Sequence, residues 1–372
     1  MLEVRELKPT RKNLRAFVCF PIALYKGDKT FAPPLIYEEL DSLDPKKNPA
    51  YEFCETRLFM AYRDGKAVGR VCALLNHRYN EYANVRYMRF TRLDFIDDAE
   101  VFDALMAKVE DWARERKLDK VQGPIGFCDL DKQGLLVEGF DAPAMFVTTY
   151  NHPYYAVHLE RRGYLKDADW VERIIDANIP PDPAVKKVSE IIVPRLKLRK
   201  IPLRRNKDVM PYVRDVFDLY NKAYAPLYGM IPLTEKQIDL YTGMYFSFLN
   251  LDYVSIWYDE EGLAAFGVAI PTLVNALRKS GGRLFPFGWY HLLRAMKTEK
   301  RLEMLLIAVR PKLQGKGLNA VVVSDVHQRA LDNGILEAET GPTLELNEKI
   351  QAHWNRYPSR MVRRRRCYVK SL

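Results

Sequence analysis

The sequence predicts an α/β protein built from two tandem domains, each a mixed, largely antiparallel sheet flanked by helices. Three observations carry this expectation. At 372 residues the chain exceeds the length of one ordinary domain. Two β-rich hairpins are expected, at 58–75 and 253–270. Each hairpin is followed by the same order of elements, a strand, a helix and another strand, although no residue-level repeat links the halves. Lys and Arg exceed Asp and Glu by 58 to 48, a net charge of +10, with 48% apolar and 28% charged residues. Those values exclude disordered, collagenous and coiled-coil classes. They point to acidic company: nucleic acid, anionic lipid, an acidic carrier protein or a phosphorylated cofactor. Five cysteines (Cys19, Cys54, Cys72, Cys128, Cys367) show no C-x-x-C or framework spacing, which favours a reducing, cytoplasmic setting. No apolar run approaches the roughly 18 residues of a membrane span.

The first fifty residues, rich in proline, read as one short helix and an irregular wrap. Strands at 58–62 and 67–75 turn at Asp64-Gly65, a strong hairpin signal. A strand at 87–96 runs into Asp97-Asp98, suited to a helix start. Val101, Leu105, Val109 and Trp112 then follow at helical spacing. A helix at 154–162 is stopped by Gly163. After the IPPDP loop, residues 188–205 alternate apolar and basic side chains like a partly exposed strand, and this stretch is the expected junction. The divisions are thus 1–183, a linker or strand at 184–205, and 206–372. The second half has helices at 210–224 and 234–248 and a helical insertion at 271–300, whose FPFGWYHLLRAM is aromatic and apolar with Arg283, Arg294 and Lys297 alongside. Its simplest reading is a helix packed over its own domain; its sharper one is a lid over an apolar substrate.

The segment 303–334 carries most of the chemistry. Residues 304–309 are short, apolar and closed by Pro311, as a buried strand would be. From Gly317 onward, Leu318, Val321, Val322, Val326 and Ala330 form a helical stripe that ends at Asn333-Gly334. A strand, a glycine turn and a helix together aim free N–H groups and the positive end of the helix dipole at one point, where a pyrophosphate fits. Gly315 and Gly317 keep Cβ atoms out of the way, Lys316 and Arg310 offer charge, and Gln314 can order the loop. A Rossmann turn lacks its third glycine at Ala320 and its βαβ context. A Walker loop would need glycine at Arg310 and Ser or Thr at Gly317.

Gln314-Gly315-Lys316-Gly317-Leu318-Asn319, preceded by Val309-Arg310-Pro311, resembles the acyl-CoA signature Q/R-x-x-G-x-G/A of the GNAT acyltransferase superfamily, with Asn319 replacing the last small residue. FMAYRDGKAVGRV and HLERRGYLK are similar to the opening hairpin and closing helix turn of such domains. The whole chain resembles bacterial tandem GNAT-like proteins. The resemblance implies acetyl-CoA or a longer acyl-CoA as co-substrate, no metal, and acyl transfer to a small-molecule or peptide amine by direct attack in a ternary complex. It also implies binding through Val309, Arg310, Gln314, Gly315, Lys316, Gly317, Leu318 and Asn319, with a backbone donor for the thioester within 307–309. The first half has no such loop, and Asp97-Asp98 would repel a pyrophosphate.

Candidate bases are Glu339, Glu345 and Glu303, the first two also reading as surface or turn charges. The superfamily's acid, a Tyr seven residues after an Asn, would fall on Trp354, which leaves Tyr357 as a substitute or a packing residue, and Asn347 reads as a helix cap. A non-catalytic CoA-binding tandem module and a Fem-like aminoacyl transferase using charged tRNA are the alternatives. General nucleic-acid binding lacks any signature. Residues 349–372 hold eight basic and no acidic side chains. Their VRRRRCYVK reads as the last strand of the second domain, a solvated charged edge or an attractor for CoA phosphates or an acidic carrier.

Overall fold

A computed structural model describes residues 1–180, 183–246 and 248–372. Pro181 and Asp182 of the IPPDP loop, and Ser247 of the second-half helix expected at 234–248, lie outside them. The chain divides into two compact units. One comprises Met1–Trp170, Val274–His291 and Arg363–Leu372, the other Val171–Leu273 and Leu292–Val362.

The elements of the first segment are β1 (Leu2–Leu7), α1 (Arg11–Leu24), α2 (Ile36–Ser42), β2 (Cys54–Arg63), β3 (Lys66–Asn76), α3 (His77–Ala83), β4 (Tyr87–Phe95), α4 (Ala99–Glu115), β5 (Lys120–Gly123), β6 (Leu135–Glu138), α5 (Tyr154–Arg161) and β7 (Leu165–Asp176). The expected hairpin is β2–β3, and Asp64 and Gly65 take the positive φ values of 49° and 79° that its turn requires. An opening strand, β1, comes before the first helix and pairs antiparallel with β2 from Leu2↔Arg63 to Leu7↔Leu58. Val101, Leu105, Val109 and Trp112 of α4 are all at 2% exposure or less and pack with Val71, Phe90 and Phe95. Burial of each such side chain contributes about 1.5–3 kcal/mol.

The remaining elements are α6 (Pro183–Arg195), β8 (Arg199–Lys200), α7 (Val213–Tyr224), α8 (Glu235–Phe246), β9 (Val254–Asp259), β10 (Gly262–Pro271), α9 (Val274–Ser280), α10 (Gly288–Thr298), β11 (Arg301–Val309), α11 (Leu318–Asp332), β12 (Glu337–Thr340), β13 (Thr343–Leu344), α12 (Glu348–Trp354) and β14 (Ser359–Ser371). In the second unit β8, β9, β10 and β11 pair in antiparallel order, and β11 then pairs parallel with β12. The strand expected within 184–205 is instead helix α6. Val185 and Ile192, both buried, and Val188 between them share one helical face, and only the short β8 is strand within this stretch.

The basic terminal strand also differs from expectation. Residues 363–371 of β14 belong to the first unit, where they pair antiparallel with β5 (Tyr368↔Gly123) and with β6 (Arg366↔Leu135). Arg363 and Arg365 are fully buried, donating to the carbonyl oxygens of Pro143 (2.8 Å) and Thr149 (2.5 Å). Arg364 and Arg366 turn the other way onto the buried carboxylate of Asp169, at 3.1 and 2.9 Å. Arg363 and Arg365 are interior and hydrogen-bonded, and Arg364 and Arg366 are part-buried and ion-paired, so these four form neither a solvated edge nor a phosphate attractor.

Candidate active site

In the second unit, β11 and β12 run in parallel register only from Arg301↔Glu337 to Met304↔Thr340, and the Gly341 N–H donates to the Met304 carbonyl at 3.0 Å. Beyond that point the two strands separate. On its other side β11 stays with β10, but the register slips so that Val268 faces Leu306 and Ala269 faces Met304, leaving Leu305 as a bulge. The Arg310 N–H donates to the Ala264 carbonyl (2.8 Å), so alternation turns the amide groups of Val309 and Ile307 away from β10 and toward the opening. This is the stretch expected to offer a donor to an acyl carbonyl.

The glycine loop follows. Gly315 (φ 76°) and Gly317 (φ 91°) are both left-handed, and Gly317 N-caps α11 with no side-chain cap. The N–H groups of Gly315, Gly317, Leu318 and Asn319 have no acceptor among the described residues. Such unsatisfied donors at the positive end of a 15-residue helix form an anion site. A Cβ on Gly315 would meet nothing within 4 Å, so its glycine serves the backbone angle. A Cβ on Gly317 would lie 2.9 Å from Val188 of α6, so that glycine also permits helix packing. Gln314 orders the loop by donating to the Val309 carbonyl (3.3 Å), and Lys316 is exposed beside it. Lys312, on the same loop and also exposed, was not singled out from the sequence. Arg310 is not available as expected: its guanidinium holds Asp259 at 2.9 Å, Glu261 at 3.2 Å and the Leu263 carbonyl at 3.0 Å, which ties the loop to the β9–β10 turn. The donor set fits the pyrophosphate of an acyl-CoA through backbone amides and lysine, without Arg310.

Among the proposed acid–base groups, Glu339 is 2% exposed on β12, with Arg301 at 3.4 Å, and stands in direct register with Glu303 on β11. Glu303 is 1% exposed and accepts from the Thr272 hydroxyl at 2.5 Å. Glu345 lies just after β13 and only partly buried. Tyr357 packs in the core with Trp354 and Ile335. Its buried hydroxyl has no partner, and burial raises its pKa, which makes it a poor proton donor. Asn347 caps α12, accepting from the Ile350 N–H at 3.4 Å. Tyr224, at the end of α7, is a further residue of this opening that no motif marks. Its hydroxyl donates to the Ile307 carbonyl (3.0 Å) and lies 3.5 Å from the Ile307 nitrogen, on the opened side of β11. Its one signal in the sequence is the Tyr220–Tyr224 spacing of four, which brings the two rings together, tilted by 32° at 4.5 Å.

The first unit repeats the strand geometry without the loop. β4 and β5 pair only from Tyr87↔Lys120 to Arg89↔Gln122, and β4 bulges where Arg70 faces Asp94 but Cys72 faces Thr91. Arg92 in the bulge has φ 52°. Here the helix start is taken: Asp98 caps α4, accepting from the Val101 N–H at 3.1 Å and holding Arg63 at 2.5 Å. The opening is a cavity of about 70 Å3 walled by charge. Arg70 pairs with Asp94 (2.7 Å), and Arg92 with Glu39 (2.8 Å) and Asp131 (3.2 Å). Burial pushes Glu39 upward, but Arg92 and Lys132 outweigh it and hold its carboxyl at about 2. Burial raises neighbouring Glu38 to about 7 and lowers Lys132.

Bulged strand, diverging parallel neighbour and helix, occurring twice in one chain, define the tandem GNAT acyltransferase fold. A tandem GNAT protein from the clavulanic acid biosynthesis pathway superposes with a TM-score of 0.56 at 12% identity, covering 100% of this chain and 98% of its own. Among curated proteins, Protein YghO of Escherichia coli is 28% identical over 97% of this chain and 94% of its own. The bacterial ceramide synthase of Caulobacter vibrioides is 28% identical over 92% and 90%. No family model matches the chain. Among the described residues no helix is long and apolar enough to cross a membrane.

Proposed function

We propose that the chain is an acyl-CoA-dependent N-acyltransferase whose chemistry resides in the second unit. The observation that carries this reading is the uncapped start of α11 at Gly317, with its unsatisfied amides, beside the opened stretch Ile307–Val309. The loop amides, Lys316 and Lys312 bind the pyrophosphate, and the Val309 N–H polarises the thioester carbonyl. The acyl-CoA supplies an activated acyl group. Glu339, or Glu303 beside it, takes the proton of the attacking amine, and the Tyr224 hydroxyl gives one to the departing thiolate in place of Tyr357. Direct attack needs no covalent nucleophile in the protein. A ceramide is the amide of a long-chain amino alcohol. The relationship to the Caulobacter protein therefore supports an amine acceptor of that class and a long acyl donor.

The test is calorimetric titration with acetyl-CoA, a long-chain acyl-CoA and free CoA against the wild type and Gly317→Glu. Amide formation is then followed with a panel of amines that includes long-chain amino alcohols. Binding that Gly317→Glu abolishes, with turnover of one amine class, is the expected result. No binding of any of the three removes the assignment, and binding without turnover reduces the protein to a CoA-binding module.

A further inference from the structure

The insertion between β10 and β11 is packed on one side, with Leu292 and Ala295 of α10 buried as well as part of α9, and open on another. Its start is well anchored: Val274, Ala276 and Leu277 of α9 are buried, and the Ile36 N–H donates to the Gly282 carbonyl at 2.9 Å. Beyond that anchor the chain turns its largest apolar side chains to solvent, with Phe285 76%, Phe287 68%, Trp289 47% and Tyr290 48% exposed. Every exposed Phe and Trp among the described residues lies here, with Tyr290 and Leu293, whereas the remaining exposed large apolar residues are scattered along the chain. Isolated exposed residues need no explanation, but a run of aromatic ones held on an anchored segment marks a surface that is covered in use.

Charge identifies what covers it. From Gly262 to Thr298 the sequence contains no Asp or Glu and five basic residues: Arg278, Lys279, Arg283, Arg294 and Lys297. All five are exposed, and none has an ion-pair partner among the described residues. An acidic protein partner would be expected to meet a mixed polar rim. Trp, Tyr and Phe beside unpaired Lys and Arg suit the boundary of an anionic bilayer, where aromatic rings enter the headgroup layer and cations meet lipid phosphates. We propose that residues 278–290 of the first unit, with Arg278, Lys279, Arg283 and the four exposed rings, dock the protein onto an anionic lipid surface. This goes beyond the acyltransferase reading and does not depend on it.

Flotation of the full chain with phosphatidylglycerol–phosphatidylcholine vesicles and with phosphatidylcholine vesicles tests the idea without any assay of acyl transfer. The wild type is expected to float with the anionic vesicles and to be released by salt. Phe285→Ser/Phe287→Ser/Trp289→Ser is expected to lose roughly tenfold or more in affinity, since each ring contributes buried apolar area. Arg278→Glu/Lys279→Glu/Arg283→Glu is expected to lose at least about fivefold per residue on anionic vesicles only. Both variants change exposed side chains, and an unaltered thermal melt checks their folding. Three results would overturn the proposal: no flotation of the wild type, flotation unchanged in both variants, or a dimer that the aromatic variant dissociates in a wild type that does not float. The last would assign the patch to a second copy of the chain.

Discussion

The Tyr224 hydroxyl donates to the Ile307 carbonyl at 3.0 Å, on the side of β11 that β12 has vacated. A phenol is thus fixed beside the stretch proposed to receive the thioester. Tyr224→Phe retains the ring and removes the proton. Steady-state kinetics are expected to show kcat lower by about 10²-fold, with little change in KM for acyl-CoA. Tyr357→Phe deletes a buried hydroxyl that has no partner, and should leave activity intact and stability within about 0.5 kcal/mol.

The loop separates backbone from charge. Gly317→Ala forces a left-handed residue and brings its Cβ to 2.9 Å from Val188. A loss of about 1–2 kcal/mol in denaturant unfolding is expected, together with weaker acyl-CoA binding. Lys316→Ala removes only an exposed cation. Its effect on CoA affinity should be several-fold at low ionic strength and fade as salt is raised, as isothermal titration at two salt concentrations will show.

Asp98 occupies in the first unit the place that Gly317 holds in the second. Asp98→Ala removes the cap on Val101 and a partner of Arg63, at an expected cost of about 1 kcal/mol in thermal or urea unfolding. CoA affinity should not move, because a helix start already closed by a carboxylate contributes nothing to phosphate binding.

His353 supplies a pH signature. Burial, with Arg356 adding to it, lowers its pKa from 6.5 to about 4. Between those values the unfolded chain binds the extra proton, so the associated stability is complete above pH ~6.5 and is lost as pH falls toward 4, by up to about 3 kcal/mol. Urea unfolding at a series of pH values should show this slope in the wild type and a flatter one in His353→Leu.

Local signals were legible wherever one residue type had a single structural use. Asp64-Gly65 fixed a turn, Val101 to Trp112 fixed a helix face, and Gly315 and Gly317 fixed the loop. The misreadings came from partners distant in sequence. Residues 363–371 have the pattern of a strand, but nothing local says which sheet receives them. Arg310 looks like a phosphate ligand until folding brings Asp259 to 2.9 Å. Tyr224 belongs to no motif, and its contact with Ile307 follows only from where α7 meets the bulged strand. Helix α6 is the exception: its face, Val185, Val188 and Ile192, is local, but Lys186, Lys187, Ser189 and Glu190 interrupt the apolar residues and imitate a strand's alternation.

The placement of β14 bears on how the protein is made. Arg364 meets Asp169 across 195 residues of sequence. During synthesis β5 and β6 therefore wait with open edges while the entire second unit leaves the ribosome. The unit that begins first finishes last, and a ribosome stalled before Arg363 would release a chain whose damage lies in its N-terminal half.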